Sequence, residues 1–223
     1  MDACPIPTTP SRIARRQFRL SAVGLGGIVK GKRTVLRTPT EDDLVAYARW
    51  MADMRVRRLV RPWHQPAMPA TWKERLTEQA KDKNTVLWSI DADSRIVGLV
   101  HVGLGWEPHR DRAGIDQFVI DPDHWRSGYG WDCALALHRF LFDYTDLRRT
   151  TITLAADNAG ARRIAEKLGY REYAHKHEVH YRDGAFVDEY ELALDHDVWS
   201  ERFGTEREYE PLGTRTLPQR GDD

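Results

Sequence analysis

A chain that leaves a strand through a short loop with two closely spaced glycines and then enters a helix has few ways to fold. Residues 115–141 do this. The run 115–120 reads as a strand, His124-Trp125-Arg126-Ser127-Gly128-Tyr129-Gly130-Trp131 is an irregular loop, and the strongly apolar 133–141 continues as a helix. The first N–H groups of such a helix have no partner within it, and its dipole adds positive potential at the same end. The loop therefore predicts a phosphate cradle. It lacks the Lys-Ser/Thr ending of a P-loop and is too short for a dinucleotide fingerprint. Taken alone, the two glycines also fit an ordinary strand-to-helix turn.

The 223 residues suit one domain with extensions, and eight tryptophans are ample for its core. Lys+Arg and Asp+Glu balance at 34 each, which removes any global attraction to nucleic acid or anionic membrane. Two cysteines, Cys4 and Cys133, are too few for a disulfide framework or a metal cluster and fit free thiols in a reducing, cytoplasmic setting. Arg15-Arg16-Gln17-Phe18, ahead of an apolar stretch, has the outline of a twin-arginine export signal. That stretch is short and diluted by glycine, and no small-residue cleavage site follows, so residues 1–31 are expected to stay as an N-terminal arm or strand. No segment is long enough to span a bilayer.

Along the chain, residues 33–38 read as a strand, and Thr40-Glu41-Asp42-Asp43 supplies an acidic helix start before Leu44, Tyr47, Ala48 and Met51 at helical spacing. A Pro-containing loop at 61–69 precedes a helix over 72–81. Strands at 86–90 and 96–104 form a hairpin through Asp91-Ala92-Asp93-Ser94, and a polar loop spans 105–112. After the glycine loop come a helix over 129–144, a strand over 149–155 and a short helix over 158–168, capped by Asp157 or Asn158 and stopped by Gly169. Strands at 170–181 and 186–194 flank the turn Arg182-Asp183-Gly184, and a charged tail, 201–223, ends the chain. This order of hairpins and crossovers indicates an α+β sheet covered on both faces.

From Arg33 to about Trp199 the chain resembles the GNAT superfamily of acyl-CoA-dependent N-acetyltransferases, and within it the RimJ/RimL branch. Phe118-Val119-Ile120-Asp121-Pro122 followed by Trp125-Arg126-Ser127-Gly128-Tyr129-Gly130 is similar to the family's pyrophosphate loop. Asn158, Ala161, Ile164 and Glu166-Lys167-Leu168-Gly169-Tyr170 resemble its second signature, and residues 182–190 resemble the branch's closing hairpin. The resemblance implies a domain over 32–200 with the GNAT fold: a mixed, mostly antiparallel sheet, helices on both faces and a splayed central strand pair. It makes the cradle a site for acetyl-CoA as cosubstrate. Arg126, Ser127, Gly128, Tyr129 and Gly130 would hold the pyrophosphate through backbone N–H groups. The Phe118 amide would polarise the thioester carbonyl and stabilise the oxyanion, with Ile120 lower on the pantetheine arm and Asn158 contacting it. Arg162 or Arg163, here Arg163, would reach the nucleotide phosphates; a solvated helix face accounts for both arginines as well.

Amine transfer needs a deprotonated amine, a polarised carbonyl and a proton for the departing thiolate. Gly114-Ile115-Asp116-Gln117 resembles a segment of aminoglycoside 6′-N-acetyltransferases whose aspartate has been given the base role, which makes Asp116 the first candidate. Strand alternation is expected to place it on the face of Phe118 and Ile120. The RimJ/RimL branch often has a glutamate one position earlier, where this chain has Ile115. The tyrosine that serves as acid in many members is Ala165 here, and the frequent serine of the second motif is Ala161.

In His175-Lys176-His177-Glu178-Val179-His180, alternation sets His175 and His177 on one face and His180 on the other, so these three do not converge and no metal is expected. One of them is able to relay a proton near neutral pH. A polycationic acceptor would be favoured if Glu107, Asp111, Asp116, Asp188 and Glu189 share a rim, whereas a peptide N-terminus needs an open groove. The expected partners are a small-molecule amine or a peptide N-terminus, without nucleic acid or membrane, the protein being a monomer or homodimer. An antibiotic acetyltransferase of the aminoglycoside type and a catalytically silent acyl-CoA-binding module also fit the resemblance.

Overall fold

The computed structural model describes residues 29–60, 68–79, 81–82, 84–105 and 111–204. The twin-arginine segment, most of the 61–69 loop, Cys4, Glu107, His109 and the tail from 205 onward lie outside them. The elements are β1 (Val29–Lys30), β2 (Thr34–Arg37), α1 (Asp43–Ala52), α2 (Met54–Arg57), α3 (Pro69–Gln79), β3 (Thr85–Ala92), β4 (Arg95–Leu104), β5 (Arg112–Ile120), a 3₁₀ turn (Pro122–His124), α4 (Tyr129–Asp143), β6 (Arg149–Ala155), α5 (Ala159–Leu168), β7 (Arg171–Arg182), β8 (Ala185–Asp195) and α6 (His196–Phe203). The strands form one sheet ordered β1-β2-β3-β4-β5-β6-β8-β7. Every neighbouring pair is antiparallel except β5 and β6.

Alternation along β4 shows how the sheet is covered. Val100 and Val102 join Leu36, Ile90, Leu137 and Leu141 beneath α4, while Leu99 turns the other way with Val119 toward Tyr47, Trp50 and Met51 of α1 and Trp72 of α3. At the far end, Ile152, Leu192 and Leu194 pack with Phe142, Leu168 and Trp199. Thus α4, α5 and α6 lie on one face. Among the described residues, α1, α2 and α3 cover the other around Leu99 and Val119. Thr153, in the interior strand β6, is consequently exposed on that second face.

Turn chemistry fixes the hairpins as the sequence implies. Asp93 and Ser94 both have positive φ (49° and 65°), as do Asp183 and Gly184 (49° and 85°), the pattern of a two-residue turn that suits twisted strands. Asn158 caps α5, its side chain accepting from the Ala161 N–H at 3.2 Å, and Gly169 ends it at φ 104°. Asp157 instead accepts from Arg182.

The acidic start of α1 falls where the sequence puts it, with Asp43 in the first turn. Asp43 is buried rather than solvated; its carboxylate receives both Arg37 Nη atoms (2.7 and 2.9 Å), the Thr40 N–H and the Ser89 hydroxyl. Burial works to raise its pKa, but the Arg37 and Ser89 bonds outweigh that and hold the carboxyl below its ordinary range. The single-turn α2 and a last helix, α6, lie beyond the elements read from sequence, and the short edge strand β1 falls at the end of the segment expected as an arm or strand. Val29 of β1 is buried, and Trp199 of α6 is buried while its indole N–H donates to Asp143 at 3.0 Å.

Candidate functional site

The glycine loop is held from several sides. Beyond β5, the Trp125 indole N–H donates to the Ile120 carbonyl (2.8 Å) and the Ser127 hydroxyl to the His124 carbonyl (2.6 Å). Arg33 donates to the Ser127 carbonyl (2.6 Å) and lies over the Tyr129 ring. Arg126 (φ 64°) and Gly128 (φ 91°) are both left-handed, and this double reversal turns the chain so that α4 starts at Tyr129. A Cβ at Gly130 would stand 3.3 Å from Ile164 of α5 and 3.8 Å from Ile120, so glycine lets the head of α4 approach both β5 and α5. The N–H groups of Tyr129, Gly130 and Trp131, the first turn of α4, precede its i−4 ladder, that of Tyr129 meeting the Ser127 hydroxyl at 3.5 Å.

Strand β5 leaves its parallel neighbour early. Pairing with β6 runs from Arg112↔Arg149 to Ile115↔Ile152 and stops, although β5 continues to Ile120 and β6 to Ala155. The β5 edge from Asp116 to Ile120, Phe118 included, therefore has no strand partner on that side. This is the splayed central pair.

The splay coincides with a bulge that changes one expectation. Against β4, Ile115 pairs with Val102 and Gln117 with His101, leaving Asp116 as the extra residue. The inserted position breaks the two-residue period. Ile115, Phe118 and Ile120 share the α4 face, whereas Asp116 falls on the opposite face with His101 and Gly103. Asp116 is thus not on the face of Phe118. Its side chain is 58% exposed, and its Oδ2 is 3.3 Å from His101 Nδ1. A Cβ on Gly103 or Gly114 would lie 3.1 and 3.5 Å from the Asp116 carboxylate, so both glycines leave room around it. His101, in which Nε2 is buried without a hydrogen-bond partner, went unnamed in the sequence reading. The available signal was a lone imidazole between Val100 and Val102 in an apolar run.

Helix α5 meets the head of α4, with Ile164 beside Gly130 and Lys167 over the Trp131 ring. Of the two arginines, Arg162 is engaged with Glu166 (3.0 Å) and lies over the Tyr190 ring, whereas Arg163 is exposed. Ala165 is buried against Leu168 and Phe142.

Among the described residues, Asp111, Asp116, Asp188 and Glu189 do not form a common rim. Asp188 and Glu189 point to opposite faces of β8: Asp188 accepts from His175 and the Glu178 N–H, and Glu189 pairs with His180 (2.8 Å) and Lys176 (3.4 Å). Lys176 also bridges Glu191. Asp111 lies at the start of β5, where its carbonyl accepts the Arg148 N–H, remote from the splay.

Among the described residues, no helix is long and apolar enough to cross a membrane. Solved structures with this fold include a spermidine N-acetyltransferase from Vibrio cholerae in complex with CoA and spermine (18% identity, TM-score 0.66, 75% of this chain and 98% of that one). Others are the ribosomal-protein-S5-alanine acetyltransferase from Vibrio fischeri (17%, 0.65, 78% and 99%) and a GNAT-family acetyltransferase from Bacillus anthracis (18%, 0.63, 77% and 99%). No curated protein matches the chain by sequence. The model of the acetyltransferase (GNAT) domain matches residues 33–171, more than half of the chain and the whole stretch from β2 through the glycine loop to α5. On that match, with the splayed strand and the loop it feeds, the chain belongs to the GNAT acetyltransferase family.

Proposed function

We propose that the protein transfers the acetyl group of acetyl-CoA to the primary amine of a peptide N-terminus or a small mono-amine, with Asp116 accepting the amine's proton and His101 positioning the carboxylate. The observation that carries this reading is the single strand β5, which feeds the glycine loop at one end and bulges Asp116 outward where its free edge begins. The residues present fit the cosubstrate. Gly128 takes the left-handed turn and Gly130 lets the head of α4 approach β5 and α5, Tyr129, Gly130 and Trp131 offer first-turn N–H groups to the pyrophosphate, and exposed Arg163 is available to the nucleotide phosphates. The unpaired edge at Phe118 and Ile120 offers main-chain groups to the pantetheine arm, including the amide assigned to the thioester carbonyl. Asn158, whose carbonyl oxygen caps α5, keeps its amide NH₂ for the same arm.

Acetyl-CoA supplies a thioester that is already activated, so the chain's own task is proton removal and alignment. Asp116 suits it. The carboxylate is open to solvent, hydrogen-bond reach of His101 restrains it, and it faces the side of the sheet that Thr153 shows to be uncovered. Beyond the last β5–β6 pair, Ile115↔Ile152, Thr153 pairs with Glu191, and both stand on the face to which Asp116 turns. Lys176 neutralises Glu191 and Glu189, so the strip beside Asp116 is not a strong trap for a polycation. A single exposed carboxylate, beside acids already engaged by Lys176, suits one amine at the end of an extended chain.

Thiol release from acetyl-CoA with a panel of peptides, mono-amines and polyamines tests the proposal. Faster release with free peptide N-termini or mono-amines than with polyamines is expected. Amine-independent background from a protein that binds CoA would establish the silent-module alternative instead, and preference for aminoglycosides would establish the antibiotic one.

A further inference from the structure

We propose that His175, His177 and Asp188 form a binding site for a divalent transition-metal ion of the zinc type on the β7–β8 edge. His180 turns away to Glu189, as alternation requires, but the third donor comes from across the strand pair. His175 Nε2 lies 2.7 Å and His177 Nδ1 3.3 Å from Asp188 Oδ2, and the three donor atoms all fall within 4.8 Å of one another. Two imidazoles and a carboxylate at zinc distances of about 2.0–2.2 Å would have donors separated by roughly 3.3 Å, so small rotations of exposed side chains admit the ion. The backbone is shaped for this convergence. Lys176 pairs with Glu189 and His180 with Val187, so residues 177–179 face Asp188 alone, and Glu178 adopts a left-handed φ of 55°. That distortion carries His177 back over Asp188, with the two imidazole centroids 4.2 Å apart.

Neighbouring groups orient the donors. The Glu178 N–H holds Asp188 Oδ1 at 2.9 Å and leaves Oδ2 to the imidazoles, and the Tyr190 ring packs against His175 at 4.6 Å. Imidazole donors favour Zn²⁺, Ni²⁺ or Cu²⁺ over Mg²⁺ or Ca²⁺, and a fourth position is open to water. The cluster lies on the α5 face of β8, whereas Asp116 lies on the other, so the ion would clip the edge strand rather than serve acetyl transfer.

Calorimetric titration of the full-length, metal-stripped protein with ZnCl₂ tests the site. One ion per chain is expected, with no comparable binding of MgCl₂. His177→Ala, at a side chain 76% exposed, and Asp188→Asn should each weaken binding by at least about tenfold while circular dichroism stays unchanged. His196→Ala, elsewhere on the surface, should bind as the wild type does. Absence of Zn²⁺ binding by the wild type, or unchanged affinity in both His177→Ala and Asp188→Asn, would overturn the proposal.

Discussion

At Asp116 one inserted residue decides which side of the sheet a carboxylate serves. Without the bulge, alternation would turn it to the α4 face with Phe118 and Ile120; with it, the carboxylate reaches the opposite face beside His101. Amines are mostly protonated at neutral pH, so a base at this position should matter to turnover more than to cosubstrate binding. Asp116→Asn is expected to retain CoA affinity while kcat falls by roughly 10²–10⁴-fold, with partial recovery at high pH as free amine accumulates. His101→Gln should cost less and likewise spare CoA affinity. If steady-state kinetics show a raised acceptor KM at unchanged kcat in Asp116→Asn, the residue attracts the amine but does not deprotonate it. The face of Asp116 was not legible in the sequence, because the bulge is set by pairing with β4, residues distant along the chain. His101 was hidden for the same reason.

Helix α4 joins two of the three clusters and carries a second buried polar device. Its Asp132 accepts from the backbone N–H groups of Lys32, Arg33 and Thr34 and from the Thr34 hydroxyl, tying the β1–β2 turn to the head of the helix. Gly31 is confined by that clamp, since a Cβ there would stand 2.3 Å from Asp132 Oδ2. Farther along, His138 bonds the Ala134 carbonyl and the Tyr170 hydroxyl, each at 2.7 Å. Burial pushes its pKa down from 6.5 to about 4. Above pH 6.5 the ring is neutral in both folded and unfolded chains. Below it, the unfolded chain takes up a proton that the buried ring refuses until about pH 4, so stability is lost as pH falls through that window. The loss has an upper limit of about 3 kcal/mol. Urea denaturation should therefore show a shallower pH dependence between 6.5 and 4 for His138→Gln than for the wild type, even though the variant starts less stable at pH 7. Parallel curves would contradict a buried neutral imidazole. The limits of α4 and α5 were readable because caps and left-handed glycines are local signals. Helices α2 and α6 were not: one is a single turn, and the other is held by Trp199 packing against distant Phe142.

Across the whole molecule the site depends on one long-range arrangement, in which β5 parts from β6 while its far end turns through the glycine loop into α4. The loop was legible because its glycines announce themselves, and the motifs resembling the GNAT family implied the splay before any coordinates. The open face that shapes the acceptor reading was not, since it depends on how far α1 and α3 extend over the sheet. The central claim is that this loop holds the pyrophosphate of coenzyme A. Gly128→Asp tests it most directly, because aspartate tolerates the left-handed φ of 91° better than most side chains and yet sets a negative charge in the cradle. Calorimetric titration with CoA should show affinity at least about 100-fold weaker than wild type in a protein that unfolds at a similar temperature. Wild-type CoA affinity in the folded Gly128→Asp protein would contradict the account.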